Sequence, residues 1–323
     1  MSESYHVLCC INDAYAQHCG VLLCSLFSNN RDLSFTVHIL TTGVSVENRN
    51  KLTRLADSYH HHLFFYTIDM ESYLFPKIEG HYISIETYLR LLVADYIPET
   101  IEKIVYLDVD MLVVDNIASL LNEDMEGYTI GAIEDCVQEE RYKRLDIPQR
   151  YGYFNAGVLL IDMVEWRRAN MTQKALDFIS EHPTLLLQHD QDVLNALLYN
   201  SRKRIGFRWN MLLPFFQSNH RLLPQFEEEL MTALRNPAIV HFTGGVKPWM
   251  AWEQHPYHSW YYKYLEKTPW RGYRPSFSSR WHAYSFPRNI LGLLMIDRIL
   301  IPIKDKIQFA VNRIYKINCN KYV

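Results

Sequence analysis

The stretch Lys103-Ile-Val-Tyr-Leu-Asp108-Val-Asp110-Met-Leu-Val-Val114 sets two carboxylates, one residue apart, directly after an apolar run. A short, continuous apolar run of this kind reads as a strand covered on both faces. In extended backbone alternate side chains share a face, so Asp108 and Asp110 can both point into the crevice at the carboxyl end of a sheet. Two anions held together repel unless a cation or a proton lies between them, and hard divalent metals favour such oxygen ligands. The plainer alternative is that one Asp caps the next turn and the other is solvated.

Outward from this stretch, apolar runs of strand length alternate with helix-period segments through most of the first 245 residues. The spacing predicts strands over 6–11, 35–41, 63–68, 103–108, 128–133, 157–162 and 238–242. Helices are predicted over 15–28, 45–59, 85–95, 163–181 and 190–200, with Ser45 and Asn48 as an imperfect cap. This alternation defines an α/β chain built on a sheet flanked by helices. The 323 residues, 48% hydrophobic and 21% charged, suit one large globular domain with an appendage. The six cysteines form no Cys-x-x-Cys pair and read as small buried thiols in a reducing compartment. The N-terminal residues lack the cationic and apolar pattern of a secretory signal, so the protein is expected to stay in the cytoplasm.

Further segments fit the same crevice. His241-Phe-Thr-Gly244-Gly245-Val-Lys247-Pro-Trp249 follows a predicted strand and joins an imidazole, a flexible Gly pair and a Lys. An imidazole with two carboxylates suits Mn²⁺ better than Mg²⁺ or Ca²⁺, although Mg²⁺ stays open as the alternative ion. The glycines let the backbone approach a phosphate, and the Lys offers it a compact charge. Phe154-Asn155-Ala156-Gly157 sets an amide beside small residues, or is simply a turn before a strand. His189-Asp190-Gln191-Asp192 opens a predicted helix, where Asp caps are routine, yet its carboxylates and amide also suit sugar hydroxyls.

Taken in order, Asn12-Asp13-Ala14-Tyr15, Tyr88-Leu-Arg90, Leu107-Asp108-Val-Asp110, Asp135, Phe154-Asn-Ala-Gly157, Asp190-Gln191-Asp192 and His241-Phe-Thr-Gly244 with Lys247-Pro-Trp249 resemble the family 8 retaining glycosyltransferases. That family uses nucleotide-activated sugars and includes glycogenin and the bacterial lipopolysaccharide glucosyl- and galactosyltransferases. The resemblance spans roughly residues 5–265. It implies a Rossmann-like GT-A fold with a mixed central sheet, a UDP-hexose donor, and Mn²⁺ held by Asp108, Asp110 and His241. It further implies that Asn12 and Tyr15 meet the uracil, that Arg90 meets a donor phosphate or the sugar, and that Gly244 and Lys247 bind the diphosphate. Asp135, Asn155 and Asp190 then become partners of the sugar hydroxyls. Gln191 and Asp190 become the catalytic pair, positioning the sugar and stabilising an oxocarbenium-like state, since an amide is too weak a nucleophile for a covalent intermediate. Bacterial relatives commonly carry a His eight residues before the Arg of Tyr-x-Arg; here that position is Tyr82, with His81 beside it, and no role is carried over.

Two other classes compete. A strand followed by Asp-x-Asp is also the nucleophile motif of haloacid-dehalogenase-like phosphatases, but those usually place Thr or Val where this chain has Leu112. A non-catalytic sugar-nucleotide or membrane-binding module is the other. The chain divides by charge: residues 1–270 hold 23 Lys and Arg against 34 Asp and Glu, whereas 271–323 hold 10 against 2. A catalytic domain over 1–268 and a basic, aromatic-rich helical tail over 269–323 are expected. The run Ile290 to Ile303 is about 14 residues, short of the roughly 20 that a spanning helix needs. Basic residues among exposed apolar ones favour an anionic membrane surface over nucleic acid, so peripheral binding to the inner face of the cell membrane is expected, near a saccharide or lipid-linked glycan acceptor. An amphipathic helical tail packed on its own domain or on a second subunit is the alternative. Trp209, Phe215 and Phe216 either stack on acceptor sugars or pack in the core.

Overall fold

The computed structural model describes residues 4–73, 75–76, 84–136, 139–216, 222, 224–250 and 255–274. The strands of this description are β1 (Tyr5–Asn12), β2 (Phe35–Gly43), β3 (His62–Thr67), β4 (Lys103–Leu107), β5 (Met111–Val113), β6 (Ile130–Ala132), β7 (Val158–Asp162), β8 (Arg202–Arg204), β9 (Met211–Leu212) and β10 (Ile239–His241). They form a seven-stranded sheet of order β3-β2-β1-β4-β7-β6-β8 and a three-stranded sheet of order β5-β10-β9. In the large sheet β3, β2, β1 and β4 run parallel. Strand β7 runs antiparallel to both β4 and β6, which makes the sheet mixed, as expected.

Period-two alternation decides what each strand covers. Val7, Cys9 and Ile11 of β1 join one buried cluster with the helix Ala16–Asn29, whereas Leu8 and Cys10 join a second cluster on the opposite face. Strand β4 divides the same way, with Val105 and Leu107 on the first face and Ile104 and Tyr106 on the second. The second face is covered by the segments Val93–Tyr96, Met163–Arg168, Met171–Glu181 and Asp190–Leu198. Apolar residues on both sides are what a strand needs between two layers of helices.

All seven predicted strands are present, and the differences lie in the short elements. The predicted helix 163–181 is two helices, because Asn170 takes φ 52° between Arg168 and Met171, a conformation that Asn tolerates. The predicted helix 85–95 is a tight 3₁₀ segment over Ile85–Leu92, with α-helix only over Val93–Tyr96 before Pro98. Strands β5, β8 and β9, two or three residues each, are absent from the sequence prediction: β5 merges with the apolar run of β4, and Arg202-Lys203-Arg204 of β8 has no apolar residue. The Asp-x-Asp stretch owes its place to β5: the chain leaves the large sheet after β4, bends through Asp108 and Asp110, and enters the small sheet. Trp209 and Phe215 belong to the core, and Phe216 sits against His255 and Tyr257. Trp270 and Tyr273 pack against the first cluster. Among the described residues no helix is long and apolar enough to cross a membrane. The tail beyond residue 274, and His81 and Tyr82, lie outside the described residues.

Candidate active site

A cleft of about 410 Å³ opens at the carboxyl ends of β1 and β4. Asn12, Tyr15, Arg90, Asp108, Asp110, Asp135, Asn155, Asp190, Gln191, His241, Gly244 and Lys247 all line it. These residues, spread over 236 positions from Asn12 to Lys247, meet in one concavity; of the carboxylates and glycines offered by the sequence for the same chemistry, Asp192 and Gly245 do not line it.

At its floor, ligand atoms of Asp108, Asp110 and His241 lie within 4.8 Å of one another, a group able to hold a metal ion. His241 Nε2 is 3.3 Å from Asp110 Oδ1 and 3.8 Å from Asp108 Oδ2. The other ring nitrogen, Nδ1, faces Asn210 Oδ1 at 2.9 Å. Lys247 Nζ donates to Asp110 Oδ2 and, at 2.9 Å, to the Phe242 carbonyl. Burial pushes the Asp110 carboxyl up, but Lys247 and His241 overcome it and hold the group well below the usual carboxylate range. Two carboxylates and one imidazole, the acids with a cation already beside them, form a donor set able to hold a divalent metal ion.

Arg90 stands between the floor and the far wall. Its guanidinium donates to Asp108 Oδ1 at 2.9 Å and to the Ala156 carbonyl at 2.5 Å, and its Nε lies 2.9 Å from Asp190 Oδ2. It also stacks on Tyr106 at 4.0 Å, whose hydroxyl donates to Asp108 Oδ1. Burial pushes Asp190 up to about 6, with Arg90 opposing the shift. Asp190 does not cap the helix Asp190–Leu198; it turns toward Arg90 instead. Asp192 anchors that helix, accepting from Arg144 at 2.9 and 3.1 Å, from the Tyr153 hydroxyl at 2.8 Å and from the Gln188 amide at 2.7 Å.

On the far wall Gln191 accepts through Oε1 from the Ala156 amide and from Asn155 Nδ2, and donates to Asp135 Oδ2 at 3.1 Å. At the other end Asn12 Oδ1 accepts from the Tyr15 amide, and the Tyr15 ring meets Trp249 edge-on at 6.0 Å. Trp249 in turn stacks on His18 at 3.5 Å. Gly244 sits at φ 93°, which only glycine holds without strain.

Sequence reading missed several polar residues of this region, four of which support the others directly. Glu86 lines the cleft and accepts from Thr42; Arg141 lines it and pairs with Asp135 at 3.1 Å; Tyr106 supports Asp108; and Asn210 supports His241. Only Tyr106 carried a signal, being two residues before Asp108 and so on the same face of β4.

A Rossmann-like mixed sheet with acids and an imidazole converging at its carboxyl edge places the chain among the α/β proteins that bind a ligand in the crevice outside the strand ends. The comparisons with known proteins then fix the family. The model of glycosyl transferase family 8 matches residues 6–253, and the chain belongs to that family. General stress protein A of Bacillus subtilis is 34% identical over 275 residues, covering 83% of this chain and 95% of that protein. Lipopolysaccharide 1,2-glucosyltransferase of Escherichia coli K12 is 26% identical over 277 residues, covering 85% and 81%. The crystal structure of the galactosyltransferase LgtC, in complex with donor and acceptor sugar analogs, superposes with a TM-score of 0.74 at 24% identity, covering 85% of this chain and 98% of that one. The expected GT-A fold is the fold found, and the protein is a family 8 glycosyltransferase rather than a phosphatase.

Proposed function

We propose that the protein is a retaining hexosyltransferase that moves glucose or galactose from a UDP-sugar to a saccharide, a lipopolysaccharide or another glycoconjugate, with Mn²⁺, or Mg²⁺ in its place, at Asp108, Asp110 and His241. One observation carries this reading: a metal-type donor set lies in the same cleft as Gly244 and Lys247, suited to a diphosphate, and as Asp135, Asn155, Asp190 and Gln191, suited to sugar hydroxyls. The sugar transfers named for the Escherichia coli relative and for LgtC support hexose as the transferred group.

Each residue then has a task. Asn12 and the Tyr15 ring receive the base. Lys247 meets the diphosphate with a point charge that stabilises the departing UDP. When bound, the divalent ion supplies Lewis-acid stabilisation of the negative charge on that leaving group. Asp135, Asn155 and Asp190 orient the hexose, and Gln191 stands by the anomeric carbon as a positioning dipole. Arg90 keeps Asp108 and Asp190 apart from each other's charge while holding both in place. Glucose and galactose differ at one hydroxyl, so the Asp135, Asn155 and Asp190 geometry selects between them.

The division into a catalytic domain over 1–268 and a basic tail over 269–323 belongs to this proposal, with the tail holding the enzyme on an anionic membrane surface near its acceptor. A panel of UDP-sugars, scored for Mn²⁺-dependent UDP release with Asp108→Asn beside wild type, tests the activity. Release by wild type alone is expected; equal release by both proteins from every donor would refute the transferase reading, and no release from any donor would favour a binding module. For the tail, full-length protein with Lys304, Lys306, Arg313, Lys316 and Lys321 changed to Gln should lose co-sedimentation with phosphatidylserine vesicles. Unchanged sedimentation would overturn the membrane role.

A further inference from the structure

An amide side chain can be turned end for end without changing its shape, so its orientation must be settled by a partner of fixed sign. Two backbone N–H groups do this here. The Gly157 amide donates to Asn155 Oδ1 at 2.9 Å, which fixes that atom as the carbonyl oxygen. The side chain of Asn210 meets the same oxygen at 2.8 Å and must therefore present its NH₂ there. Its own carbonyl oxygen is left facing His241 Nδ1 at 2.9 Å, so Nδ1 carries a proton, and Nε2 is the nitrogen turned toward Asp108 and Asp110. In the other direction the Ala156 amide donates to Gln191 Oε1 at 3.0 Å, and Asn155 Nδ2 reaches that oxygen at 3.2 Å. Every contact in the chain from His241 through Asn210 and Asn155 to Gln191 has a donor facing an acceptor.

Asn210 does not line the cleft, and it is fully buried. A buried amide is costly unless its polar atoms are paired, and those of Asn210 are spent on one metal-type ligand and one sugar-side amide. We propose that Asn210 is a positioning residue that couples the two halves of the site: it holds the proton of His241 on Nδ1 and, through the same planar amide, braces the Asn155 side chain that reaches Gln191. This rests on the reading of Asp108, Asp110 and His241 as a metal site, and the two ideas are separable by experiment.

The test uses full-length wild type, Asn210→Asp and Asn210→Leu. In metal-free protein, ¹⁵N resonances of the His241 ring at pH 8 report the tautomer. The Nδ1–H form is expected in wild type and in Asn210→Asp, which keeps the acceptor, and a shift to Nε2–H or a mixture in Asn210→Leu. Mn²⁺ alone, titrated calorimetrically, should bind Asn210→Leu about 10- to 100-fold more weakly than wild type, the usual cost of losing such a partner. It should bind Asn210→Asp within about threefold, on the same grounds. Sugar transfer should nevertheless fall in Asn210→Asp, because a carboxylate there faces the Asn155 oxygen; that split between retained metal affinity and lost turnover is one that simple loss of packing would not produce. An Nε2–H tautomer in wild type, or unchanged Mn²⁺ affinity in Asn210→Leu, would overturn the proposal. A wild type with the Nδ1–H tautomer that binds no Mn²⁺ would overturn the metal reading alone.

Discussion

Gly157 is the place where the smallest possible change should do the most measurable damage. A Cβ built on it falls 2.8 Å from His241 Nδ1 and 2.8 Å from Met111 Cε, and closer still to His241 Cε1. Its backbone is not in the left-handed region, so Ala costs nothing in φ, and the lost freedom of the unfolded chain even favours Ala by about 0.4–1 kcal/mol. The penalty is overpacking, about 1–3 kcal/mol, against a ring that is itself held at Nδ1 by Asn210 and cannot swing without breaking that bond. The net loss of about 0–2.5 kcal/mol should lower Tm by only a few degrees, at roughly 2–4 °C per kcal/mol for a domain of this order of size. The imidazole, however, must move by tenths of an ångström in a site whose ligand atoms have to converge. Gly157→Ala should therefore weaken Mn²⁺ binding about 10- to 100-fold while remaining folded. The control is Gly206→Ala, where a Cβ would meet only Glu229 Oε1 at an ordinary 3.4 Å. Calorimetric Mn²⁺ titration of the three proteins, with thermal melts, decides the matter: Gly157→Ala binding Mn²⁺ within twofold of wild type would show that His241 is not held against Gly157 for metal chemistry.

Three further outcomes follow from the geometry. Asp192→Ala removes a fully buried carboxylate that pairs with Arg144, Tyr153 and Gln188 and should cost about 3–5 kcal/mol in urea unfolding, whereas Glu47→Ala, at an exposed pair with Lys51, should cost under about 1 kcal/mol. Equal costs would refute the anchoring role of Asp192. Arg90→Lys keeps the charge but not the fork that reaches Asp108, Asp190 and Ala156; losing one charged hydrogen bond of about 1.5–3 kcal/mol should slow sugar transfer roughly 10- to 100-fold, and wild-type turnover would exclude Arg90 from the site's support. Burial lowers His18 to about 3, His38 to about 4 and His255 to about 3. Their contribution to stability is present above the unfolded value near 6.5 and is lost as pH falls toward those folded values, at about 2 kcal/mol each by pH 5. Asp190, raised to about 6, acts with the opposite sign, its contribution being present at low pH and lost as pH rises through 6. These four groups together should lower the unfolding free energy by about 4 kcal/mol between pH 7.5 and pH 5, with the buried His61, also lowered to about 4, acting in the same direction, and a flat profile would refute neutral burial of these histidines.

How much of this was legible in the sequence depends on whether a residue's role is local. The runs at β1, β2, β4 and β7 announce themselves because a strand buried on both faces is apolar throughout, and Asp108 and Asp110 are legible because they end such a run. Strand β8 is Arg-Lys-Arg and has no apolar pattern; its side chains pair with Glu134, Glu123, Glu126 and Glu229, partners known only after folding. The break at Asn170 was hidden because the helix period runs through it on both sides. Asp190 and Asp192 look alike in the sequence as residues near a helix start, yet one turns to Arg90 across the cleft and the other to Arg144. Asn210, Arg141 and Glu86 stand in stretches with no motif, and only the crossing of β10 beside β9 and of the 3₁₀ segment beneath β1 brings two of them to the cleft region.

The acidic character of the body acquires a structural meaning in these terms. Five carboxylates line one cleft, a density that would repel unless offset, and four are met by a specific cation, Asp110 by Lys247, Asp135 by Arg141, and Asp108 and Asp190 by the single Arg90, while Glu86 accepts from the Thr42 hydroxyl. Sharing one guanidinium makes the positions of Asp108 and Asp190 interdependent, because Arg90 is planar and is itself fixed by Tyr106 and the Ala156 carbonyl. Asn210 imposes a second constraint of the same kind by way of His241, Asn155 and Gln191. The two straps touch the same ends of the site by different chemistry, one ionic and one made of neutral amides, and both close on the short segment Asn155-Ala156-Gly157. That segment contributes a carbonyl to Arg90, amides to Gln191 and Asn155, and the missing side chain that lets His241 approach. Small residues follow Asn155 because the backbone itself is the working part there, and any side chain on Gly157 would occupy space that the imidazole needs.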